Sequence, residues 1–245
     1  MEEFLLFVVI GFFAQMIDGS IGMAYGVSST SFLLSTGVSP VIASSSVHIA
    51  EVFTTFVSGI SHYKLGNVSK ILFKRLVIPG IIGGATGAFI LVNTAVEIIK
   101  PIVTVYLLIM GIVIVFKSLK KIPVNDNPTR LRHAIPLGLT GGTLDAIGGG
   151  GWGPIVTSSL IASGKTPAKV IGSVNAAEFF VTLVQAATFI LLIQTIPLIT
   201  VLGLIVGGVV AAPLAARVVK RIEARKLMFV VGIVIIILQL RTILL

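Results

Sequence analysis

The chain has 245 residues, of which 56% are hydrophobic and only 11% charged, with 18 Lys and Arg against nine Asp and Glu. No water-soluble domain of this length needs so much apolar surface, so lipid is the expected solvent. The lack of cysteine excludes disulfides, thiolate metal sites and cysteine nucleophiles; the net charge of +9 would suggest nucleic acid in a soluble protein, but here it reads as a record of membrane topology and no nucleic-acid partner is expected.

The first apolar run is Phe4–Ile17. It has the hydropathy of a signal peptide, but Glu2 and Glu3 stand where a signal carries basic residues, and a copy of the run recurs mid-chain, so it is read as part of the fold. Together residues 4–36 predict a hairpin of two short helices that meet at a break near Asp18–Gly26. Spans follow at about 41–61, 72–93 and 98–116, each near the ~20 residues a bilayer needs. A connector at 122–133 then divides residues 1–121 from residues 134–245. A second hairpin, 135–163, has its break near Asp145–Pro154, and spans follow at about 170–191, 200–216 and 227–244. Each hairpin arm has about 10–16 residues, or ~15–24 Å, short of a ~30 Å hydrocarbon core. The breaks are therefore expected inside the membrane, where irregular backbone must be buried in protein or line a wet cavity.

The two divisions repeat each other at an offset of 127 residues: Asp18/Asp145, Gly22/Gly149, Gly26/Gly153, Thr30/Thr157, Pro40/Pro167 and Glu51/Glu178 are identical pairs. The basic residues fall into four groups: Lys64, Lys70, Lys74 and Arg75; Lys117, Lys120, Lys121, Arg130 and Arg132; Lys165 and Lys169; and Arg217, Lys220, Arg221, Arg225 and Lys226. Only Lys100 and Arg241 lie elsewhere. The positive-inside rule places all four groups, including the connector 117–133, in the cytoplasm and the N-terminus outside. The basic loop 62–75 corresponds to the uncharged 191–199, and the basic loop 217–226 to 93–100, with one acid and one base. Loops that are basic in one copy are nearly bare in the other, which is the pattern of inverted repeats. The predicted fold is an all-α, multi-pass protein of the cell membrane: two inverted repeats, each a broken-helix hairpin plus three transmembrane helices.

The breaks carry the candidate chemistry. Gly148, Gly149, Gly150 and Gly151 disfavour helix by about 1 kcal/mol each relative to Ala, and expose backbone N–H groups ahead of Trp152, Gly153 and Pro154. Thr157 and Ser158 add hydroxyls, so this stretch reads as an anion cradle. The weaker first copy offers Asp18, Gly22, Tyr25, Gly26 and Thr30. Glycines that merely let helices pack closely are the plainer reading. Asp18 and Asp145 either cap exposed N–H groups or contact substrate, and Tyr25 and Trp152 either wall a cavity or pack. No Lys or Arg is placed in a span, whereas Asp18, Glu51, Asp145 and Glu178 are; intramembrane acids are functional candidates by default. Glu51 shares a helical face with His48, and Glu178 with Asn175. These four are read as hairpin support or as proton carriers. His62 and His133 fall in or beside basic loops and carry no expected role. No catalytic residue, metal site or cofactor is expected.

At these residues the chain resembles the sulfite exporter TauE/SafE family of membrane permeases over nearly its whole length. The resemblance rests on Gly11…Asp18 and Gly138…Asp145, the run Gly148–Pro154, and the stretches SVHIAEVFTT at 46–55 and SVNAAEFFVT at 173–182. It implies a secondary transporter for a small anion, sulfite or an organosulfur anion such as a sulfonate, working by alternating access. Because the neighbouring carboxylates oppose an anion, coupling to protons or Na⁺ is expected; a homodimer is compatible with the sequence. The rival readings are a cation transporter built on the intramembrane carboxylates, an intramembrane aspartyl protease using Asp18 and Asp145, and a purely structural membrane protein. The protease motifs are absent, and inverted symmetry with broken helices argues against the last.

Overall fold

A computed structural model describes residues 2–119, 133–163, 165–193, 195–218 and 224–244. Among them the chain is helical, without strands. The first half comprises α1 (Glu2–Ile21), α2 (Tyr25–Ser35), α3 (Pro40–Lys64), α4 (Lys70–Asn93) and α5 (Val96–Leu119). The second comprises α6 (Ala134–Gly148), a π-helical turn (Trp152–Thr157) running into α7 (Ser158–Ala162), then α8 (Pro167–Leu192), α9 (Leu198–Val218) and α10 (Ala224–Leu244). The connector expected at 122–133 lies, apart from His133, outside the described residues, as do Lys120, Lys121, Arg130, Arg132, Lys220 and Arg221.

The sequence dictates these boundaries locally. Pro40 and Pro167 each open a helix at its first position, where a missing N–H is harmless. Ser39 caps α3, its Oγ accepting from Ile42 N at 3.4 Å. The hairpins break at equivalent places: Gly22, Met23 and Ala24 in the first, Gly149, Gly150 and Gly151 in the second. Helix resumes at Trp152, two residues before Pro154.

Six helices are long and apolar enough to cross a membrane: α1, α3, α4, α5, α8 and α9. The apolar part of α10, Met228–Leu244, is shorter. The first arm differs from expectation. At 20 residues α1 exceeds the 10–16 foreseen, because the helix begins at Glu2, where acids favour an N-terminal turn, and continues through Gly19 and Ser20. The basic loop expected at 62–75 is likewise mostly helix, since α3 ends at Lys64 and α4 begins at Lys70.

α3 and α8 form the inner pair: 61% and 50% of their apolar windows are buried, against 33% for α5. α1 packs along α9, and α6 along α4; α3 lies on α8, and α5 on α10. The α1–α9 and α6–α4 packings thus exchange corresponding helices. Thr55 and Thr182, 127 positions apart, meet hydroxyl to hydroxyl at 3.5 Å where α3 crosses α8.

The α4–α6 and α1–α9 pairs approach at backbone distance through glycine, as small residues permit in lipid. A Cβ on Gly83 would collide with the Leu139 carbonyl, and one on Gly207 with the Val8 carbonyl, lying also 2.6 Å from Phe12 N. Gly83→Leu and Gly207→Leu are therefore each expected to destabilise the protein by about 1–3 kcal/mol through overpacking. Ile82→Leu, on the exposed face of α4, should leave the midpoint unchanged; thermal unfolding in detergent or lipid checks both.

Candidate functional site

The two breaks meet at the centre. A Cβ on Gly26 would lie 2.6 Å from Gly150 Cα and 2.8 Å from Gly149 O, and one on Gly153 would lie 2.8 Å from Gly22 O. Side chains are excluded there because backbone faces backbone. Thr30 Oγ1 donates to Gly149 O at 2.5 Å, tying α2 to the second break. The second break takes its left-handed turn on glycines, Gly149 at φ 64° and Gly150 at φ 153°. The first puts Ala24 at φ 104°, a conformation that costs an L-residue about 1–3 kcal/mol and persists only where the surroundings enforce it.

The second break is wound around Asp145. Its Oδ1 accepts from Gly151 N at 2.7 Å and Trp152 N at 2.9 Å, and its backbone carbonyl from Gly150 N at 3.0 Å. Its Oδ2 accepts from Gln185 Nε2 of α8 at 3.0 Å and lies 3.2 Å from His48 Nε2 of α3. Tyr106 of α5 donates its hydroxyl to Gly150 O at 3.1 Å. Of the glycine N–H groups foreseen as an anion cradle, that of Gly151 is thus held by the Asp145 carboxylate and that of Gly150 by the Asp145 backbone carbonyl. Asp18 has a thinner shell, of which the Tyr25 backbone N–H is a part.

His48 fixes a proton by geometry. Its Nδ1 is 2.7 Å from Ser44 O, which can only accept, so Nδ1 carries hydrogen. Ser44 Oγ spends its own hydrogen on Ala146 O at 2.6 Å. Nε2 then faces Asp145 Oδ2 at 3.2 Å, a separation at which a proton on either atom would complete a hydrogen bond. Glu51 Oε2 lies 3.9 Å from the same Nε2 and has no hydrogen-bond partner. At the equivalent position Asn175 makes neutral bonds, accepting from Ser58 Oγ at 2.7 Å and donating to Ile171 O at 3.1 Å.

All four intramembrane acids, Asp18, Glu51, Asp145 and Glu178, line one cavity of ≈ 10 Å³. Tyr25, Gly26, Gly150, Gly151, Gly153 and Pro154 complete much of its wall. That volume is about what one water needs. Of the remaining expected residues, Gly22, Gly148 and Gly149 belong to the breaks and their edges. Trp152 is turned away, its Nε1 donating to Val174 O at 3.3 Å, while the Tyr25 hydroxyl donates to Leu204 O at 3.4 Å. Thr157 is buried with no partner for Oγ1, and Ser158 bonds within its own turn. Among the described residues no group of three or more His, Asp and Glu is placed to hold a metal ion.

Two placements correct the sequence reading. Lys117 lies inside α5 rather than in the connector, so a span does carry a lysine; its Nζ donates to Pro154 O at 3.2 Å and to Ser158 Oγ. His62 is in α3, fully buried, with Nε2 on Gly19 O at 3.3 Å and Nδ1 accepting from Asn67 Nδ2 at 3.2 Å. Gln185, Ser44 and Tyr106 also went unforeseen. Gln185 is a polar residue in an apolar helix, a signal legible in the sequence; Ser44 and Tyr106 gave none, since either is ordinary in a span.

A family model described as sulfite exporter TauE/SafE matches residues 7–242. The chain is similar to the probable membrane transporter protein YtnM of Bacillus subtilis strain 168, with 41% identity over 249 residues, covering 99% of this chain and 83% of that protein. No solved structure gives a significant match.

Removing the Asp145 carboxylate strands the Gly151, Trp152 and Gln185 donors, each buried donor left unpaired costing about 1–3 kcal/mol. Asp145→Ala is expected to lower the unfolding midpoint well below that of Asp18→Ala, in thermal melts of the two variants side by side.

Proposed function

The chain belongs to the sulfite exporter TauE/SafE family of membrane transporters, a multi-pass membrane protein and not an enzyme, and from that premise we propose that it carries a small anion, sulfite or a sulfonate, by alternating access coupled to protons. The observation that carries this reading is the 3.2 Å approach of His48 Nε2 to Asp145 Oδ2 at the edge of a cavity lined by four carboxylates. An anion entering there meets negative charge unless protons accompany it. The His48–Asp145 line and the unpartnered Glu51 oxygen are where such protons are kept.

The cavity has no room for even a sulfite ion, so the state described is closed. Opening requires the breaks to part, exchanging Gly26–Gly150 and Gly153–Gly22 proximity for substrate. The exchanged packing of the two halves and the Thr55–Thr182 contact support inverted repeats at 1–121 and 134–245. With basic loops inside, the N-terminus lies outside and the connector 122–133, beyond the end of α5, in the cytoplasm, in the cell membrane. Glycines and hydroxyls of both breaks, including Thr30, Thr157 and Ser158, would face the substrate once they part. One chain closes the cavity by itself, so a dimer is not required for it.

A cation transporter is the second reading, and one observation favours it: among the described residues no Lys or Arg lines the cavity while four acids do. Na⁺ would then take the place of protons, or be the cargo.

Flux into vesicles separates these. With one proton per singly charged anion, an alkanesulfonate should accumulate about tenfold per unit of pH gradient, and His48→Asn, which copies Asn175, should weaken that dependence while the protein still folds. Sulfonate flux indifferent to the pH gradient sinks proton coupling; Na⁺ flux with no anion required would establish the second reading.

A further inference from the structure

The second hairpin has a feature that its copy lacks. Its helix restarts in π register, so the Ser158 N–H reaches back five residues to Gly153 O. The Pro154 carbonyl, one residue on and part of the cavity wall, is instead met by Ser158 Oγ and by Lys117 Nζ. A π turn of this kind displaces carbonyls from the ladder and recurs at functional sites. The position equivalent to Lys117 is Leu244, in the second half, and the one equivalent to Ser158 is Ser31, in the first, where the buried Ser31 hydroxyl has no protein partner among the described residues. Nothing in the backbone relation between the halves asks for a cation on one side only.

Lys117 is half-buried. Among the described residues both ion pairs are made by His48, so the ammonium faces a carbonyl and a hydroxyl but no carboxylate. A partly desolvated cation with only neutral partners is short of negative charge. An ammonium has three donors on a flexible stem and can exchange one acceptor for another without repacking its helix.

The geometry points to Lys117 as the residue that captures the transported anion at the second hairpin: the anion displaces Pro154 O and Ser158 Oγ from the ammonium before the breaks part. Release of the Pro154 carbonyl loosens the π turn, which links capture to opening. The inference rests on the anion reading above and deepens it, assigning the charge that the cavity itself lacks.

The test is uptake of sulfite and of an alkanesulfonate by the full chain in vesicles, comparing Lys117→Gln, Lys117→Arg and Lys100→Gln. Lys117→Gln should raise KM about tenfold or more, the scale of losing one charged hydrogen bond, with the maximal rate and unfolding midpoint near those of the parent. Lys117→Arg should recover most of the affinity, and Lys100→Gln, which removes an equal charge from the other end of α5, should leave KM unchanged. An unchanged KM in Lys117→Gln, with any loss confined to the midpoint or maximal rate, makes the lysine a clamp and overturns the inference while the anion reading stands. Parent vesicles that move neither anion overturn both.

Discussion

Backbone that leaves the helix inside a bilayer has no water to satisfy it, and every exposed N–H and C=O must find a partner in the chain. Two three-residue breaks at equivalent positions impose that requirement twice, and much of the centre answers to it. Asp145 takes the N–H groups of Gly151 and Trp152, Thr30 the carbonyl of Gly149, Tyr106 that of Gly150, and Lys117 that of Pro154. These partners come from α2, α5 and α6, so the breaks also hold the helices to one another. A carboxylate used as a cap needs partners for its second oxygen as well, and His48 and Gln185 meet it there from α3 and α8.

The same requirement separates the two halves. Glycine lets the second break turn freely, while Ala24 holds the first in a left-handed conformation. His48 stands opposite Asn175, and Lys117 opposite Leu244. His48 and Lys117 both bear on the second hairpin, whereas beside the first the buried hydroxyls of Ser29 and Ser31 have no partner among the described residues.

The breaks, five of the six expected spans and the four acids were legible because glycine, aspartate and apolar length are local signals; the sixth, 227–244, is shorter in its apolar part, and α1 reaches spanning length instead. Their convergence on one cavity was suggested only by the repeat. What the sequence did not disclose was who satisfies whom. Asp145 finds Gln185 at a separation of 40 residues and His48 at 97, and no periodicity encodes such pairs. Lys117 was assigned to a loop because hydropathy falls at 116, whereas α5 keeps its helical bonds to Leu119. His62 was lost for the same reason, buried at the end of a helix that outlasts its apolar run. The length of α1 reflects helix propensity beyond the apolar window, which a count of apolar residues does not measure.

The central claim is that an anion crosses this carboxylate-lined centre only together with protons. The most direct measurement imposes an inward gradient of an alkanesulfonate, permanently ionised so that it cannot itself buffer, on vesicles holding the protein and a pH-sensitive dye, with no initial pH gradient. The account predicts that the lumen acidifies as sulfonate enters and that the signal disappears without sulfonate. Sulfonate entry at constant lumenal pH, with the membrane potential clamped, would contradict it.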